Sequence, residues 1–91
     1  MPTYQFQVCL TGIDPERLSL VRTRLHSRRM GKLWVQQVLD RVAQGESQVV
    51  SETNSLPDAW SLWKDLCTNG GTAVVHEVLA DGTLQELKLR A

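Results

Sequence analysis

The chain has 91 residues, and its ten Lys and Arg balance its ten Asp and Glu to a formal net charge of zero. This length suits one domain, predicted to span residues 1–91, and a hydrophobic share of 42% excludes an intrinsically disordered chain. General nucleic-acid-binding domains are usually strongly basic, so the zero net charge argues against that class.

The first half of the chain predicts one strand and two helices. Residues 4–10 alternate apolar and polar side chains, which predicts a strand with one buried face. The stretch that follows ends this strand and begins a helix with Asp14 as its N-cap. That helix is predicted to end at about His26, and a second helix follows Gly31 and ends near Gly45. Their apolar faces carry Leu18, Val21 and Leu25 on the first helix, and Val35, Val38, Leu39 and Val42 on the second.

The second half predicts a strand, a helix and a hairpin. Residues 47–55 form a short strand or extended loop, and Pro57 opens a third helix whose apolar face carries Ala59, Leu62 and Leu66. A hairpin then turns at Asp81-Gly82. The predicted fold is α+β in the order β-α-α-β-α-β-β, with three helices on one face of a small antiparallel sheet and an added C-terminal hairpin strand.

Positive charge is concentrated in one segment. Six of the ten Lys and Arg lie between Arg17 and Lys32, and no acidic residue occurs from Arg17 to Leu39. Such a segment produces a local field even in a neutral protein. It is either a solvated helix end, where the helix dipole favours cations, or a face that binds carboxylates or phosphates. The candidate partner-binding residues are Arg22, Arg24, Arg28, Arg29 and Lys32.

The third predicted helix carries bulky side chains beside its apolar face. Trp60, Trp63 and Cys67 are spaced so that they share one side of the helix. Leu33 and Trp34 are further apolar residues at the start of the second helix. Either the C-terminal strand folds over the tryptophans, or these residues form a second surface for a partner or a homodimer. The residues of that second surface are Leu33, Trp34, Trp60 and Trp63.

Little in the sequence points to catalysis. His26 and His76 have no Ser, Cys or carboxylate at a spacing typical of a triad. Cys9 and Cys67 lack metal-ligand spacing, and two cysteines are too few for a disulfide framework. We therefore expect no enzymatic activity, no metal and no cofactor. Because no signal peptide or long apolar run is present, we expect a cytoplasmic protein that does not enter a membrane.

Three stretches resemble the C-terminal domain of the bacterial ribosomal stalk protein, the domain that recruits translation factors. The first strand of that domain is similar to FQVCL (6–10). Its first two helices are similar to RLSLVRTRLHSRRMGKLWVQQVL (17–39), and its last helix and strand to DAWSLWKDLCTNGGTAVV (58–75). The same fold is similar to the adaptor that delivers substrates to the Clp protease, although that family has an Asn-Asp pair where this chain has residues 11–13, Thr-Gly-Ile.

The resemblance implies a protein-binding face on the first two helices. In the stalk family, a Lys on the first helix and two in a Gly-Leu-Gly-Leu-Lys-Glu-Ala-Lys segment help to bind translation factors. The first of these positions falls at Arg22, whereas the other two fall at Leu33 and Gln36. The first Gly of the segment falls at Arg29. We therefore expect the fold of the family with a different set of binding residues.

These observations together predict a small non-enzymatic protein-protein interaction module. It would bind an acidic protein surface through the basic residues of the first two helices. One alternative is RNA or a phosphate ligand on the same face, although no aromatic residue for base stacking occurs between residues 17 and 32. The other alternative is a structural or oligomeric subunit that uses the tryptophan stripe.

Overall fold

The computed structural model describes residues 4–90, so the predicted domain limits at residues 1 and 91 lie outside the described residues. These described residues form three α-helices and four strands, in the order predicted from the sequence. The elements are β1 (Phe6–Ile13), α1 (Leu18–Ser27), α2 (Lys32–Ala43), β2 (Gln48–Thr53), α3 (Leu56–Thr68), β3 (Gly71–Val78) and β4 (Leu84–Leu87). Within this part of the chain, no helix has both the length and the apolar character that a membrane span requires.

The four strands form one antiparallel sheet in the order β2-β1-β3-β4. The predicted α+β class and element order are therefore confirmed. The first strand begins at Phe6 instead of Tyr4 and ends later than predicted, because Gly12 and Ile13 still pair with Thr72 and Gly71 after a register shift that follows Leu10. An irregularity of this kind interrupts the alternation of side chains, which is why the sequence pattern ended the strand too early.

The hydrophobic core lies between the sheet and the helices. On the two central strands, Val8 stands opposite Val75 and Leu10 opposite Ala73, and all four side chains are buried. The helices contribute the apolar faces that their sequence spacing predicted. Their buried residues are Val21, Leu25, Val35, Val38, Leu39, Val42, Ala59, Leu62 and Leu66.

The first helix begins later than predicted. Asp14 does act as an N-cap, since its side chain accepts a 3.0 Å hydrogen bond from the backbone N–H of Glu16. The element that it caps is a single 3-10 turn, Pro15–Arg17, and α1 begins only at Leu18. Short 3-10 turns are common at helix N-termini, so the capping signal was correct and the boundary was wrong.

The turn between α3 and β3 requires glycine. Gly70 has φ of +100°, and a Cβ added there would lie 2.5 Å from the Cβ of Arg17. Its carbonyl accepts a 2.8 Å hydrogen bond from the backbone N–H of Asp14. This close approach brings the start of the first helical region against the end of α3, which places α1 beside α3.

Candidate functional site

Two of the predicted basic residues converge on one acidic residue of α3. Arg24 lies in the last turn of α1 and Arg28 is the C-cap of that helix, one turn further along the chain, so the two side chains lie on the same side of the helix end. Arg28 Nη2 lies 3.3 Å from Asp65 Oδ2, and Arg24 Nε lies 3.7 Å from Asp65 Oδ1. Arg28 also donates a 3.2 Å hydrogen bond to Ser61 Oγ, one turn before Asp65. Two guanidinium groups therefore share a single carboxylate between α1 and α3.

This contact is open to solvent. The side chains of Arg24, Arg28 and Asp65 are 47%, 29% and 27% exposed. Ion pairs that water reaches stabilise a fold by about 0–1 kcal/mol, because solvent screens them and ordering long side chains opposes them. The two ion pairs therefore contribute little to stability. Their main consequence is the charge that this part of the surface presents to a ligand.

The arginines form one side of a cleft of about 440 Å³ between α1 and α3. Three cations, Arg24, Arg28 and Lys64, surround it together with one carboxylate, Asp65, which leaves a formal charge of 3 − 1 = +2. The cleft is lined by Arg24, Arg28, Trp60, Ser61, Lys64, Asp65, Thr68 and Asn69. We call this feature the α1–α3 cleft. It favours an anionic ligand.

Trp60 supplies the aromatic surface of the α1–α3 cleft. Lys64 Nζ lies 4.9 Å from the centroid of the Trp60 ring, which is a cation–π distance. The indole N–H of Trp60 donates a 3.0 Å hydrogen bond to the carbonyl of Arg90, so the C-terminal segment holds the ring in place. The cleft thus combines cations with an ordered aromatic ring, a combination enriched where proteins bind proteins.

Arg29 follows α1 in the turn to α2 and is exposed. Its φ is +63°, the left-handed region that favours glycine. Arginine adopts this backbone conformation at a higher free energy than glycine does. The Arg29 side chain adds a cation directly after Arg28 in the chain.

The other two predicted basic residues are placed differently. Arg22 is partly buried, and its Nε is buried without a hydrogen-bond partner in the described structure. Lys32 is the exposed first residue of α2. Of the five candidate residues, the structure therefore brings Arg24 and Arg28 together in the cleft, while Arg29 and Lys32 lie exposed in and after the turn.

The predicted tryptophan stripe is divided between two environments. Trp63 packs against the hydrophobic core, and its indole N–H donates a 2.9 Å hydrogen bond to the carbonyl of Ala73. The pairing of β3 with β4 extends only to Val75 and Leu87, so the indole satisfies a carbonyl just beyond the end of that pairing. Trp63 is thus used inside the fold, whereas Trp60 lines the cleft.

The C-terminal segment contacts both tryptophan environments. Leu87 and Leu89 pack against the same core as Trp63, and the Arg90 carbonyl accepts from Trp60. Of the two interpretations of the stripe, these contacts support the one in which the C-terminal segment folds over it. The remaining members of the predicted second surface, Leu33 and Trp34, are 82% and 39% exposed at the start of α2.

The fold brings one of the two cysteines close to one of the two histidines. The sheet brings Cys9 Sγ to 3.7 Å from His76 Nδ1, a contact that the sequence spacing did not indicate. Burial raises the pKa of the Cys9 thiol, which favours the neutral thiol over the reactive thiolate. Cys67 is exposed on α3. Among residues 4–90, no group of three or more His, Cys, Asp or Glu is placed to hold a metal ion.

Asp65, Ser61 and Lys64 are site residues that sequence reasoning missed. A signal existed, because Trp60 and Lys64, and likewise Ser61 and Asp65, lie one helical turn apart beside the apolar face of α3. The pattern alone did not show that α1 would pack beside that side of α3.

No protein-family model, curated protein or solved structure matches this chain. The resemblance to the ribosomal stalk domain and to the Clp adaptor therefore stays a prediction.

Proposed function

We propose that the protein is a non-enzymatic interaction module that binds an acidic surface of a partner protein. The binding face is the α1–α3 cleft together with the exposed cations Arg29 and Lys32. The observation that carries this proposal is the imbalance of charge in the cleft, which three cations and Trp60 line together with a single carboxylate, Asp65. Both cysteines are free thiols, which suits a reducing compartment such as the cytoplasm.

The composition of the cleft favours a protein over RNA. Single-stranded nucleic acid is usually held by several aromatic rings along a basic groove, and this cleft contains Trp60 as its one aromatic lining residue. Arginine and tryptophan are the residue types most enriched at the centre of protein interfaces.

A second candidate function is a structural or oligomeric one. Leu33 is 82% exposed and Trp34 is 39% exposed, and the two are adjacent on α2. Exposed large apolar side chains next to each other are typical of contact surfaces, including those of homodimers. This surface would act without the arginines of the cleft, so the two functions are separable by mutation.

The test is an affinity capture from an extract of the native cells, with and without nuclease. The bait is the wild-type protein or a variant, called the cleft variant, in which Arg24 of the cleft and the exposed Arg29 are both changed to Glu. A matched control changes the exposed Arg41 and Lys88 to Glu, which alters the net charge equally at positions outside the proposed binding face.

The proposal expects a protein partner that survives nuclease, is lost with the cleft variant and is retained by the control. A partner that the cleft variant retains would contradict it and favour the surface of Leu33 and Trp34. Recovery that depends on intact RNA would favour the nucleic-acid alternative.

A further inference from the structure

We propose that Asp65 is an internal competitor of the partner, occupying in the free protein the place that a carboxylate of the partner takes in the complex. The inference rests on the proposed function and adds the chemistry of the ligand. The ligand is a peptide segment of the partner that presents a Glu or Asp side chain beside an apolar side chain.

The first support is the loose geometry of the internal pair. The contacts of Asp65 with Arg28 and Arg24 are 3.3 and 3.7 Å long. Charge-assisted hydrogen bonds between guanidinium and carboxylate groups are normally about 2.7–2.9 Å long, and arginine commonly takes both oxygens of one carboxylate. Here Arg24 is closest to Oδ1 of Asp65 and Arg28 is closest to Oδ2. Each arginine therefore contacts one oxygen of a shared carboxylate instead of both oxygens of its own.

The second support is Lys64. Its ammonium group contacts the Trp60 ring at 4.9 Å, and within residues 4–90 no ion pair joins it to a carboxylate. A carboxylate that enters between α1 and α3 would meet this cation as well as the two arginines. An apolar side chain next to that carboxylate would meet Trp60, whose indole is already held by the Arg90 carbonyl.

The third support is exposure. Asp65 is 27% exposed and Arg28 is 29% exposed, so the pair can be exchanged without opening the core. The buried core residues of α1 and α3, Val21, Leu25, Leu62 and Leu66, do not line the cleft.

The experiment measures the binding of a short fluorescein-labelled peptide of glutamate and leucine by fluorescence anisotropy. A peptide with glutamine in place of glutamate is the ligand control. The variant is Asp65→Asn. The protein control is Asp40→Asn, because Asp40 is an exposed helical acid that likewise accepts a side-chain hydrogen bond, from Gln36, and lies outside the cleft. Circular dichroism establishes that each variant is folded.

We expect Asp65→Asn to lower the dissociation constant of the glutamate peptide by about threefold to tenfold, because a competing and repelling charge is removed. Asp40→Asn and the glutamine peptide should show no such gain. Equal affinities of wild type and Asp65→Asn, or no binding of the glutamate peptide to either, would overturn the inference. If an RNA oligonucleotide displaces the labelled peptide at a lower concentration than the unlabelled glutamate peptide does, the inference is also overturned.

The two proposals fail separately. If the cleft variant loses its captured partner but Asp65→Asn gains no affinity for the peptide, the cleft binds a protein and Asp65 is not a competitor. If the cleft variant keeps its partner, the proposed function itself is wrong.

Discussion

Arg28, the C-cap of α1, and Asp65 of α3 form an ion pair 3.3 Å long although they are 37 positions apart in the chain. Among the ion pairs of residues 4–90, Asp65 is the only acidic residue that pairs with the basic segment, residues 17–32. The pair joins the two features that the sequence presented separately, the basic segment and the helix with the tryptophans. The proposed function depends on this contact between Arg28 and Asp65.

The strength of this ion pair can be measured by a double-mutant cycle. We expect Arg28→Ala and Asp65→Ala to show a coupling energy of about 0.5 kcal/mol, because both side chains are partly exposed and solvent screens their attraction. Urea unfolding of the two single variants and the double variant gives this value. A coupling of about 2 kcal/mol or more would mean that the pair is fixed in the structure, which is incompatible with exchange for a carboxylate of the partner.

Arg29 is expected to lower stability where it stands. Because its φ is +63°, Arg29→Gly should raise the free energy of unfolding by about 1 kcal/mol. Arg29→Ala keeps the unfavourable backbone conformation, so its thermal midpoint should stay close to that of the wild type. If Arg29→Gly is no more stable than Arg29→Ala, the left-handed conformation does not persist in solution. In the capture assay, Arg29→Gly should bind the partner more weakly despite its greater stability.

Trp60 and Trp63 should respond differently to the same substitution. Trp63→Phe removes a part-buried hydrogen bond and leaves the Ala73 carbonyl without its donor, so we expect a loss of about 2 kcal/mol of unfolding free energy. Trp60→Phe removes an exposed hydrogen bond, and we expect a loss of about 0.5 kcal/mol. Chemical unfolding monitored by circular dichroism measures both. Equal losses would show that Trp63 is not used inside the fold as described.

The two thiols should differ in reactivity. Burial hides Cys9 and raises its pKa, so less of it is thiolate at a given pH, whereas Cys67 is exposed. With an aromatic disulfide reagent at mildly alkaline pH, we expect one fast reaction and one slow reaction. Cys67→Ser should abolish the fast reaction and leave the slow one. Fast labelling of the Cys67→Ser variant would contradict the burial of Cys9.

Much of the fold could be predicted because its signals are local. The alternation that includes Val8 and Leu10 specifies a strand with one buried face, and these two side chains are fully buried. Helical spacing located the buried faces of all three helices. The Asp81-Gly82 turn was also predicted, since Gly82 has φ of +87° and Asp81 accepts hydrogen bonds from Thr83.

The candidate site was predictable only in part because it depends on contacts between distant segments. The basic segment was found, and two of its arginines line the α1–α3 cleft. Asp65 was missed, since nothing local to it shows that α1 packs alongside. The tryptophan spacing correctly placed Trp60 and Trp63 on one helix. It did not show that the pairing of β3 with β4 stops at Val75, which leaves the Ala73 carbonyl free to accept a hydrogen bond from Trp63.

The most direct test of the central claim is the location of the bound ligand. Amide NMR spectra of isotope-labelled protein, titrated with the glutamate and leucine peptide, report each residue separately. The account predicts that the shifts concentrate at Arg24, Arg28, Ser61, Lys64 and Asp65, which line the cleft. Shifts concentrated at Leu33 and Trp34, or spread over the sheet and absent from α1 and α3, would contradict it.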